Sequence, residues 1–341
     1  MAGLRWAAAT PMAAAQVMTA WGYLRAAAFA LTTASLGGVF WRRVKRRKGS
    51  RAAGWERTTR ALRLALGRKG LDVVAPLQLR WYNDVAPESA KIAVMSGSAV
   101  KESALVILVG NSRALWPKFC AAHDTDPTIG DAENPLDTYV AREVERAVRE
   151  LDDATASSAA STDDAEKSRR HRVFYAHETR PGRLVAIQRM AHVAGVAHLD
   201  ERCHLSIHPR LGPWLALRVV VVFDDVLGPP DTSKPTPPVN PLASDAGRRQ
   251  RVDNAFDAAL AGYERPEGVD EENQWRRWVA VRDAVEPEHR RRYYDDQVLY
   301  HYNAGISGAR ANRGGGGARA RDRMNERERI RAGMRGFENK A

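Results

Sequence analysis

The chain has few of the residues that mark common metal and nucleophilic sites. It contains two cysteines in 341 residues, too few for a disulfide framework or a cysteine-based zinc site, so we expect a reducing compartment. It lacks a glycine-rich phosphate loop, a serine nucleophile elbow and an H-E-x-x-H run. These absences exclude the most recognisable nucleotide, hydrolase and metalloprotease motifs. The surroundings of Cys120 indicate a core residue rather than a nucleophile.

Histidines are the remaining metal-binding candidates, and four of them lie close together in the sequence. They are His192, His198, His204 and His208. No carboxylate joins them at a familiar ligand spacing, and His192 and His198 are six residues apart on a predicted helix, so they point to different faces. We therefore predict no protein-bound metal.

Acidic residues are missing from the first 55 positions, which hold nine arginines and lysines. Residues 304–341 hold ten basic and four acidic residues, so both ends are basic and residues 56–303 are slightly acidic. A nucleic-acid-binding domain normally carries basic charge on its folded surface. We therefore predict no nucleic-acid partner, and a solvated tail is favoured over an RNA-binding one for the Gly/Arg run at 313–319.

The composition divides the chain into three parts. Residues 1–55 form a targeting leader or disordered extension, residues 56–303 form the folded domain, and residues 304–341 form a Gly/Arg-rich tail. Within the domain, residues 152–169 and 226–250 are predicted to be disordered or loop insertions, because they offer little to bury or are rich in proline.

Two interpretations of the leader remain open. An alanine-rich, arginine-containing and acid-free segment is typical of a mitochondrial or plastid transit peptide. The uncharged residues 26–41, followed by basic residues, indicate a membrane anchor instead, although they fall short of the roughly 20 residues that a spanning helix needs.

The most informative stretch runs from residue 184 to residue 223. Its first part predicts a helix, since five residues recur at three- and four-residue steps on one face: Val185, Gln188, Ala191, His192 and Val196. Small residues in its middle allow a backbone or a flat ligand to approach closely. Two strands follow, at 205–208 and 214–223, joined by a Pro-Arg-Leu-Gly-Pro turn.

Arg218 is the exception inside the second of these strands, which is apolar on both faces and therefore predicted to be central. Alternation along the strand predicts that Arg218 points to the same side as Trp214, Ala216, Val220 and Val222. A guanidinium keeps its charge and is seldom buried without an anionic partner. Two alternatives follow: a salt bridge to a nearby carboxylate, or a ligand carboxylate or phosphate.

The other segments complete an α+β pattern. A continuous apolar run predicts a buried strand at 104–109, and a shorter strand is predicted at 173–175. Residues 76–83 are predicted to be extended or a turn. Helices are predicted at 56–68, from Pro135 to Leu151, at 252–263, at 273–285 and at 287–302. The residues alone indicate a partly apolar pocket and an arginine aimed at an anion, without naming a ligand.

Several blocks of this sequence resemble the cobalamin-trafficking family of methylmalonic aciduria and homocystinuria type C. In chain order they are 76–83 (P-L-Q-L-R-W-Y-N), 191–197 (A-H-V-A-G-V-A), 207–218 (I-H-P-R-L-G-P-W-L-A-L-R), 275–278 (W-R-R-W) and 282–285 (R-D-A-V). The resemblance covers about residues 56–300. The family has tyrosines where this chain has His198-Leu199-Asp200, and its following loop is longer.

The resemblance implies a flavin-reductase or nitroreductase-like α+β domain, with a central, mainly antiparallel sheet flanked by helices. It implies an enzyme that binds base-off cobalamin, removes cyanide from cyanocobalamin with reduced FMN or FAD, and transfers the alkyl group of alkylcobalamins to glutathione. It also implies a cytoplasmic location, a downstream cobalamin-trafficking partner, and a monomer or homodimer.

Individual residues also match the family. Arg218 and Arg282 are similar to arginines that hold glutathione, and a third such arginine has no assigned position near the tail. Seven residues match positions that line the cobalamin site: Val185, Ala186, Ile187, Gln188, His192, Ser206 and Leu217. His192 retains the alternative of a hydrogen-bonded core histidine.

Two other functions remain open from the sequence. One is a non-catalytic cobalamin chaperone, which needs no glutathione site, so Arg218 and Arg282 favour the enzyme. The other is a flavin oxidoreductase of the same fold, which predicts a coloured protein without affinity for corrin.

Overall fold

The computed structural model describes residues 54–158, 171–263 and 274–304, and the structural statements below refer to these residues. They belong to one unit, Gly54–Ala341. Residues 1–53 of the predicted leader, residues 159–169 of the predicted insertion and residues 305–341 of the predicted tail lie outside the described residues.

The described chain alternates between helices and short strands. The strands are β1 Val73–Gln78, β2 Ala104–Asn111, β3 His171–Tyr175, β4 His198–Asp200, β5 Leu205–Ile207 and β6 Ala216–Leu227. The helices are α1 (residues 54–67), α2 Leu79–Asn83, α3 Leu115–Thr125, α4 Pro127–Gly130, α5 Pro135–Ser158, α6 Ile187–Val193, α7 Ala246–Tyr263, α8 Gln274–Val285 and α9 Asp295–Leu299. A π-helical turn, Tyr300–Ala304, follows α9.

Four strands form the main sheet in the order β1-β2-β6-β3, and every neighbouring pair is antiparallel. All eight residues of β2 are buried, as expected for a strand that is covered on both faces and rich in Val, Leu and Ile. The predicted mainly antiparallel sheet, flanked by helices, is confirmed.

Helices cover both faces of this sheet. On the first face, α1, α3 and α5 pack against β2 and β6, with Leu66, Trp116 and Val144 in one cluster with Ile107 and Val221. On the second face, α2 and α6 pack against the same two strands, with Trp81 and Met190 in one cluster with Leu108, Val220 and Val222. The alternation of side chains along β2 and β6 therefore fills two separate cores.

The strands at 205–208 and 214–223 do not pair with each other, although a turn joins them in sequence. β5 instead pairs with β4, so that Leu199 faces Ser206, whereas β6 pairs with β2 and β3. The Pro-Arg-Leu-Gly-Pro turn therefore joins strands of two different sheets, and the two predicted strands do not form a hairpin. β4 lies where the sequence indicated the end of a helix, because three residues are too few to show a strand period.

The proline-rich connection after β6 is shorter and better anchored than the predicted insertion at 226–250. β6 continues to Leu227, and α7 begins at Ala246. Within the connection, Asp231 accepts hydrogen bonds from Trp81 Nε1 at 2.8 Å and Arg80 Nη2 at 2.5 Å. Gln78 Nε2 donates to the carbonyl oxygen of Pro229 at 2.6 Å, so the loop is tied to β1 and α2.

Three further boundaries differ from the predicted ones. α1 begins at residue 54, inside the predicted leader, and Trp55 packs against the first-face cluster. α5 extends to Ser158, so the first part of the predicted insertion 152–169 is helical. The predicted helix at 287–302 is reduced to α9 and the π-helical turn. Every helix in the described ranges is too short or too polar to cross a lipid bilayer.

Gly70, just after α1, provides a test of this packing. Its φ is +82°, and a Cβ there would lie 2.5 Å from Leu115 Cα and 2.7 Å from the Ala114 carbonyl oxygen. Gly70→Ala should therefore lower the free energy of unfolding by about 2–4 kcal/mol, because it combines left-handed strain with a backbone collision. Urea denaturation followed by circular dichroism measures this change.

Gly67→Ala is the matched control. Gly67 is the last residue of α1, and no atom lies within 4 Å of a Cβ built there. Because alanine is the better helix former, this variant should be as stable as the wild type or more stable by up to about 1 kcal/mol. Equal stability of the two variants would contradict the described contact between the end of α1 and the start of α3.

Candidate functional site

Arg218 occupies an irregular position in β6. Val219 pairs with Val109 and Leu217 pairs with Gly110, so the register between β2 and β6 shifts at Arg218. One residue of β6 therefore has no partner in β2, which is the geometry of a β-bulge, and bulges redirect side chains. Simple alternation, which placed Arg218 on the side of Val220 and Val222, does not hold here.

The side chain of Arg218 instead reaches Asn111 at the end of β2. Arg218 Nε donates to Asn111 Oδ1 at 2.9 Å. Asn111 is fully buried and follows Ile107 and Val109 at two-residue steps, which places it on the first face. Among the described residues, no carboxylate lies within 4 Å of Arg218, so the alternative of a local salt bridge does not explain this charge.

Arg282 approaches the same region from α8. Its Nη1 donates to the carbonyl oxygen of Pro213 at 2.9 Å. Its guanidinium carbon lies 5.7 Å from the ring centroids of both Trp214 and Tyr302, within the range of cation–π attraction. In the described part of the chain, Arg282 also has no carboxylate within 4 Å, although the neighbouring Arg292 binds Asp283 at 2.9 Å.

The charges of both arginines lower the pKa values of the same two residues, Tyr293 and His301. The ring centroids of these two residues are 5.6 Å apart. Burial raises the pKa of Tyr293, and the charges of Arg282 and Arg218 oppose this increase. Burial, followed by the same two arginines, holds the pKa of His301 well below its usual value. His301 is half-buried as a residue, but its Nε2 is shielded from solvent. The structure therefore brings Arg218 and Arg282 together.

We call this region the arginine chamber and define it by Arg218, Arg282, Trp214, Tyr293 and His301. Trp214 connects its members, since its ring centroid lies 5.4 Å from that of Tyr293. Within the chamber, Trp214 Nε1, Tyr293 Oη and His301 Nε2 are buried without a hydrogen-bond partner. The chamber therefore combines two guanidiniums, neither of which has a carboxylate within 4 Å among the described residues, with polar atoms that can still form hydrogen bonds.

The seven cobalamin-site candidates lie around α6 and the β4–β5 hairpin. Val185 is buried in the second-face cluster, and Ile187 and Leu217 pack against it. Ala186 N–H donates to Tyr82 Oη at 2.8 Å. Gln188 Nε2 donates to the carbonyl oxygen of His204 at 2.6 Å, which connects α6 to the start of β5.

His192 and Ser206 are both neighbours of Leu199 in the β4–β5 hairpin. Leu199 donates its N–H to His192 Nδ1 at 3.3 Å, and Leu199 faces Ser206 across β4–β5. The His192 ring centroid is 5.5 Å from that of His198. Ser206 Oγ is buried without a partner. The hydrogen bond keeps the structural alternative for His192 open, whereas Ser206 retains an unused polar atom on this side.

The two groups of candidates meet at consecutive residues of β6. Leu217 belongs to the second face and Arg218 to the first. Both lie where the sheet ends, since β2 ends at Asn111 and β6 begins at Ala216. A ligand on the α6 side and an anion on the arginine side can therefore approach each other around this end of the sheet.

An arginine-rich pocket beside β1 was not predicted from the sequence. It has a volume of about 610 Å³, within the usual range for small-molecule sites. Its lining includes Arg63, Arg210, Arg290 and Arg291, together with Asp72, His208 and the segment 194–196. Asp72 accepts two hydrogen bonds from Ser112, at 2.7 and 2.6 Å. None of the predicted site residues lines this pocket, because its arginines come from separate segments.

Metal and thiol chemistry receive little support from the side chains of the described residues. They contain no group of three His, Cys, Asp or Glu residues placed to hold a metal ion. Burial raises the pKa of the Cys120 thiol far above its usual value and that of Cys203 to about 12. Neither thiol is therefore a thiolate nucleophile at neutral pH.

The buried histidines predict a loss of stability in mild acid. The pKa values of His198, His208 and His301 are all lowered, chiefly by burial. An unfolded histidine titrates near pH ~6.5, so below that pH the unfolded state binds more protons than the folded state. The free energy of unfolding should therefore be highest above pH ~6.5 and decline as the pH falls to about 5. His301→Phe should flatten this decline in urea titrations; an unchanged slope would contradict a neutral, buried His301.

No protein-family model matches the chain. Among curated proteins, it is 26% identical over 240 residues to the human protein named cyanocobalamin reductase / alkylcobalamin dealkylase, a match covering 67% of this chain and 71% of the human one. The bovine protein of the same name is 26% identical over 71% of its length, and the mouse protein 25% identical over 72%.

The fold has a solved counterpart in the crystal structure of a C. elegans B12-trafficking protein, CblC, described as a homologue of human MMACHC. The TM-score is 0.50 at 16% sequence identity, and the match covers 73% of this chain and 91% of the C. elegans chain. At that identity the match shows similarity of fold. The resemblance predicted from the sequence is thus confirmed: over about two thirds of its length, the chain is similar to proteins named cyanocobalamin reductase / alkylcobalamin dealkylase.

Proposed function

We propose that this protein is a cobalamin-processing enzyme, a cyanocobalamin reductase and glutathione-dependent alkylcobalamin dealkylase. The names of its curated relatives support the activity. The observation that carries the proposal is the arginine chamber, where two half-buried guanidiniums converge and neither has a carboxylate within 4 Å among the described residues. A nitroreductase-like assignment of the fold is part of the same proposal.

Cobalamin would bind on the second face, against α6 and the β4–β5 hairpin. Val185, Ile187 and Leu217 supply an apolar surface, Ala186 and Gln188 fix the backbone around it, and His192 and Ser206 supply polar atoms. Binding with the nucleotide base detached from cobalt removes an axial donor, which makes Co(III) easier to reduce, because axial ligation tunes a macrocyclic metal.

Glutathione would bind through its carboxylates to Arg218 and Arg282. Guanidinium–carboxylate pairs form charge-assisted, often bidentate hydrogen bonds. Arg218 commits one of its five N–H groups to Asn111, which leaves donors available. In dealkylation, the thiol sulfur attacks the alkyl carbon, a C–S bond forms, the Co–C bond breaks with its electron pair on cobalt, and the thiol proton is released. The positive potential of the chamber favours the thiolate.

A reduced flavin would supply the electrons for removal of cyanide, which leaves as an anion. The arginine-rich pocket beside β1 is the proposed site for the phosphate that FMN and FAD both carry, because its lining has four arginines and a single carboxylate, Asp72, which already accepts two hydrogen bonds from Ser112. The four arginines would hold the phosphate, and His208 would contact the remainder of the ligand.

A cytoplasmic location, a monomer or homodimer, and a downstream cobalamin-trafficking partner complete the proposal. A fluorescent protein fused to residues 1–55 tests the location. Accumulation in a mitochondrion, a plastid or a membrane would replace a cytoplasmic assignment.

Spectroscopy with the purified full-length protein tests the proposed function directly. Addition of cyanocobalamin should shift its absorption to the base-off form. Anaerobic addition of glutathione to the methylcobalamin complex should convert Co(III) to Co(I), with formation of S-methylglutathione. A base-off shift without dealkylation would favour the chaperone, and a flavin-coloured protein that leaves the cobalamin spectrum unchanged would favour the flavin oxidoreductase.

Arg218→Ala tests the glutathione contact. Loss of a charge-assisted hydrogen bond costs about 1.5–3 kcal/mol, so kcat/KM for glutathione should fall by about tenfold to a hundredfold. The Kd for methylcobalamin should stay within about twofold of the wild type, since Arg218 faces away from α6. Stopped-flow dealkylation and spectral titration measure the two quantities.

Arg149→Ala is the control for this variant, because Arg149 is an exposed residue of α5. It should leave both quantities unchanged. If Arg218→Ala weakened cobalamin binding as strongly as glutathione use, Arg218 would have a structural role instead.

A further inference from the structure

Buried polar atoms without partners are concentrated near the C-terminal end of the described chain. Five such side-chain nitrogen and oxygen atoms belong to four described residues: Trp214 Nε1, Tyr293 Oη and His301 Nε2 of the arginine chamber, and both amide atoms of Gln297 in α9. Burying a polar group without a hydrogen bond destabilises a fold, so such a concentration requires an explanation.

Three of these residues lie close together in the sequence. Tyr293 precedes α9, Gln297 lies within α9, and His301 lies in the π-helical turn that follows. π-Helical turns occur often at functional sites. The segment 293–301 therefore carries four unused polar atoms, and two of its residues, Tyr293 and His301, interact with the charges of the two arginines.

The chemistry of these atoms defines a ligand. Tyr293 Oη and the Gln297 amide both donate and accept hydrogen bonds, and His301 is held neutral, so one of its ring nitrogens accepts. Arg218 and Arg282 add charge for a carboxylate. A ligand with peptide amides and carboxylates satisfies both requirements. A small neutral thiol such as 2-mercaptoethanol satisfies neither.

We propose that Tyr293, Gln297 and His301 bind the peptide part of the thiol co-substrate, and that they set the preference of the enzyme for glutathione over small thiols. This inference rests on the proposed function and assigns specificity to a segment distinct from the two arginines. The unsatisfied atoms then reflect a site whose hydrogen bonds are completed by its ligand.

Two variants test the inference by removing unpartnered atoms without changing side-chain size: Tyr293→Phe and Gln297→Met. In each, the KM for glutathione in demethylation of methylcobalamin should rise about fivefold to tenfold, since a hydrogen bond to the ligand is lost. The kcat/KM for 2-mercaptoethanol should stay within about twofold of the wild type. Calorimetric affinity for S-methylglutathione should fall in parallel with glutathione use.

The melting temperature without ligands is a second readout. A purely structural role for these residues predicts that both variants melt at a lower temperature than the wild type. Because Tyr293 Oη and the Gln297 amide lack partners, both variants should melt at the wild-type temperature or above it. The matched control is Tyr139→Phe, since Tyr139 Oη donates to the carbonyl oxygen of Lys69 at 3.0 Å. Tyr139→Phe should lower the melting temperature and leave the KM for glutathione unchanged.

The possible outcomes separate this inference from the proposed function. If the wild type uses glutathione and both variants keep the wild-type KM for glutathione, these residues do not bind the peptide part of glutathione. This conclusion holds whether or not water forms hydrogen bonds with their polar atoms. If Tyr293→Phe and Gln297→Met melt lower, as Tyr139→Phe does, their role is structural and the inference fails. If the wild type does not dealkylate methylcobalamin with any thiol, the proposed function itself fails.

Discussion

A guanidinium that cannot lose its proton lies at the end of a buried sheet, and the surrounding structure is arranged around that constraint. The β-bulge at Arg218 turns the side chain from the apolar second face to Asn111 on the first. Asn111 offers a single neutral oxygen, whereas a guanidinium has five N–H donors. The fold therefore keeps a strong, partly unused donor there, and Arg282, held by the Pro213 carbonyl group, adds a second charge.

The unpartnered atoms of the arginine chamber contrast with the polar atoms of three other buried aromatic residues. Trp116 Nε1 donates to Asp296 at 2.7 Å, Trp81 Nε1 donates to Asp231 at 2.8 Å, and Tyr82 Oη donates to the Ala90 carbonyl oxygen at 2.6 Å. These aromatic residues are as buried as Trp214 and Tyr293, yet their polar atoms are satisfied. Unsatisfied polar atoms also occur at Trp55, Gln78 and Ser206, but those of the chamber lie beside two guanidiniums, so stability there is sacrificed where a ligand would restore it.

The parts of this structure that the sequence predicted depend on local patterns, and the parts it did not depend on distant partners. The apolar run of β2 and the Asn-Pro start of α5 each determine their element within a few residues. The direction of Arg218 depends on its register with Asn111, more than a hundred residues away, and no alternation rule contains that information. The arginine-rich pocket was not predictable for the same reason, since Arg63, Arg210 and Arg290 are separated by long stretches of chain. The cobalamin candidates around α6 came from a family resemblance, and periodicity alone defined only the helix face.

The end of the main sheet explains how one reaction could use residues from both of its faces. Gly110 lies beside the bulge, and a Cβ at that position would be 2.6 Å from the Ala216 carbonyl oxygen. A glycine is therefore required for β2 and β6 to approach each other there. At this position only the backbone of β6 separates the second face, where Leu217 lies, from the first face, where Arg218 lies. β2 ends one residue after Gly110, and β6 begins one residue before Leu217. Under the proposed function, a thiol anchored by its carboxylates at Arg218 needs to extend its sulfur past this thin edge to reach a corrin held against α6.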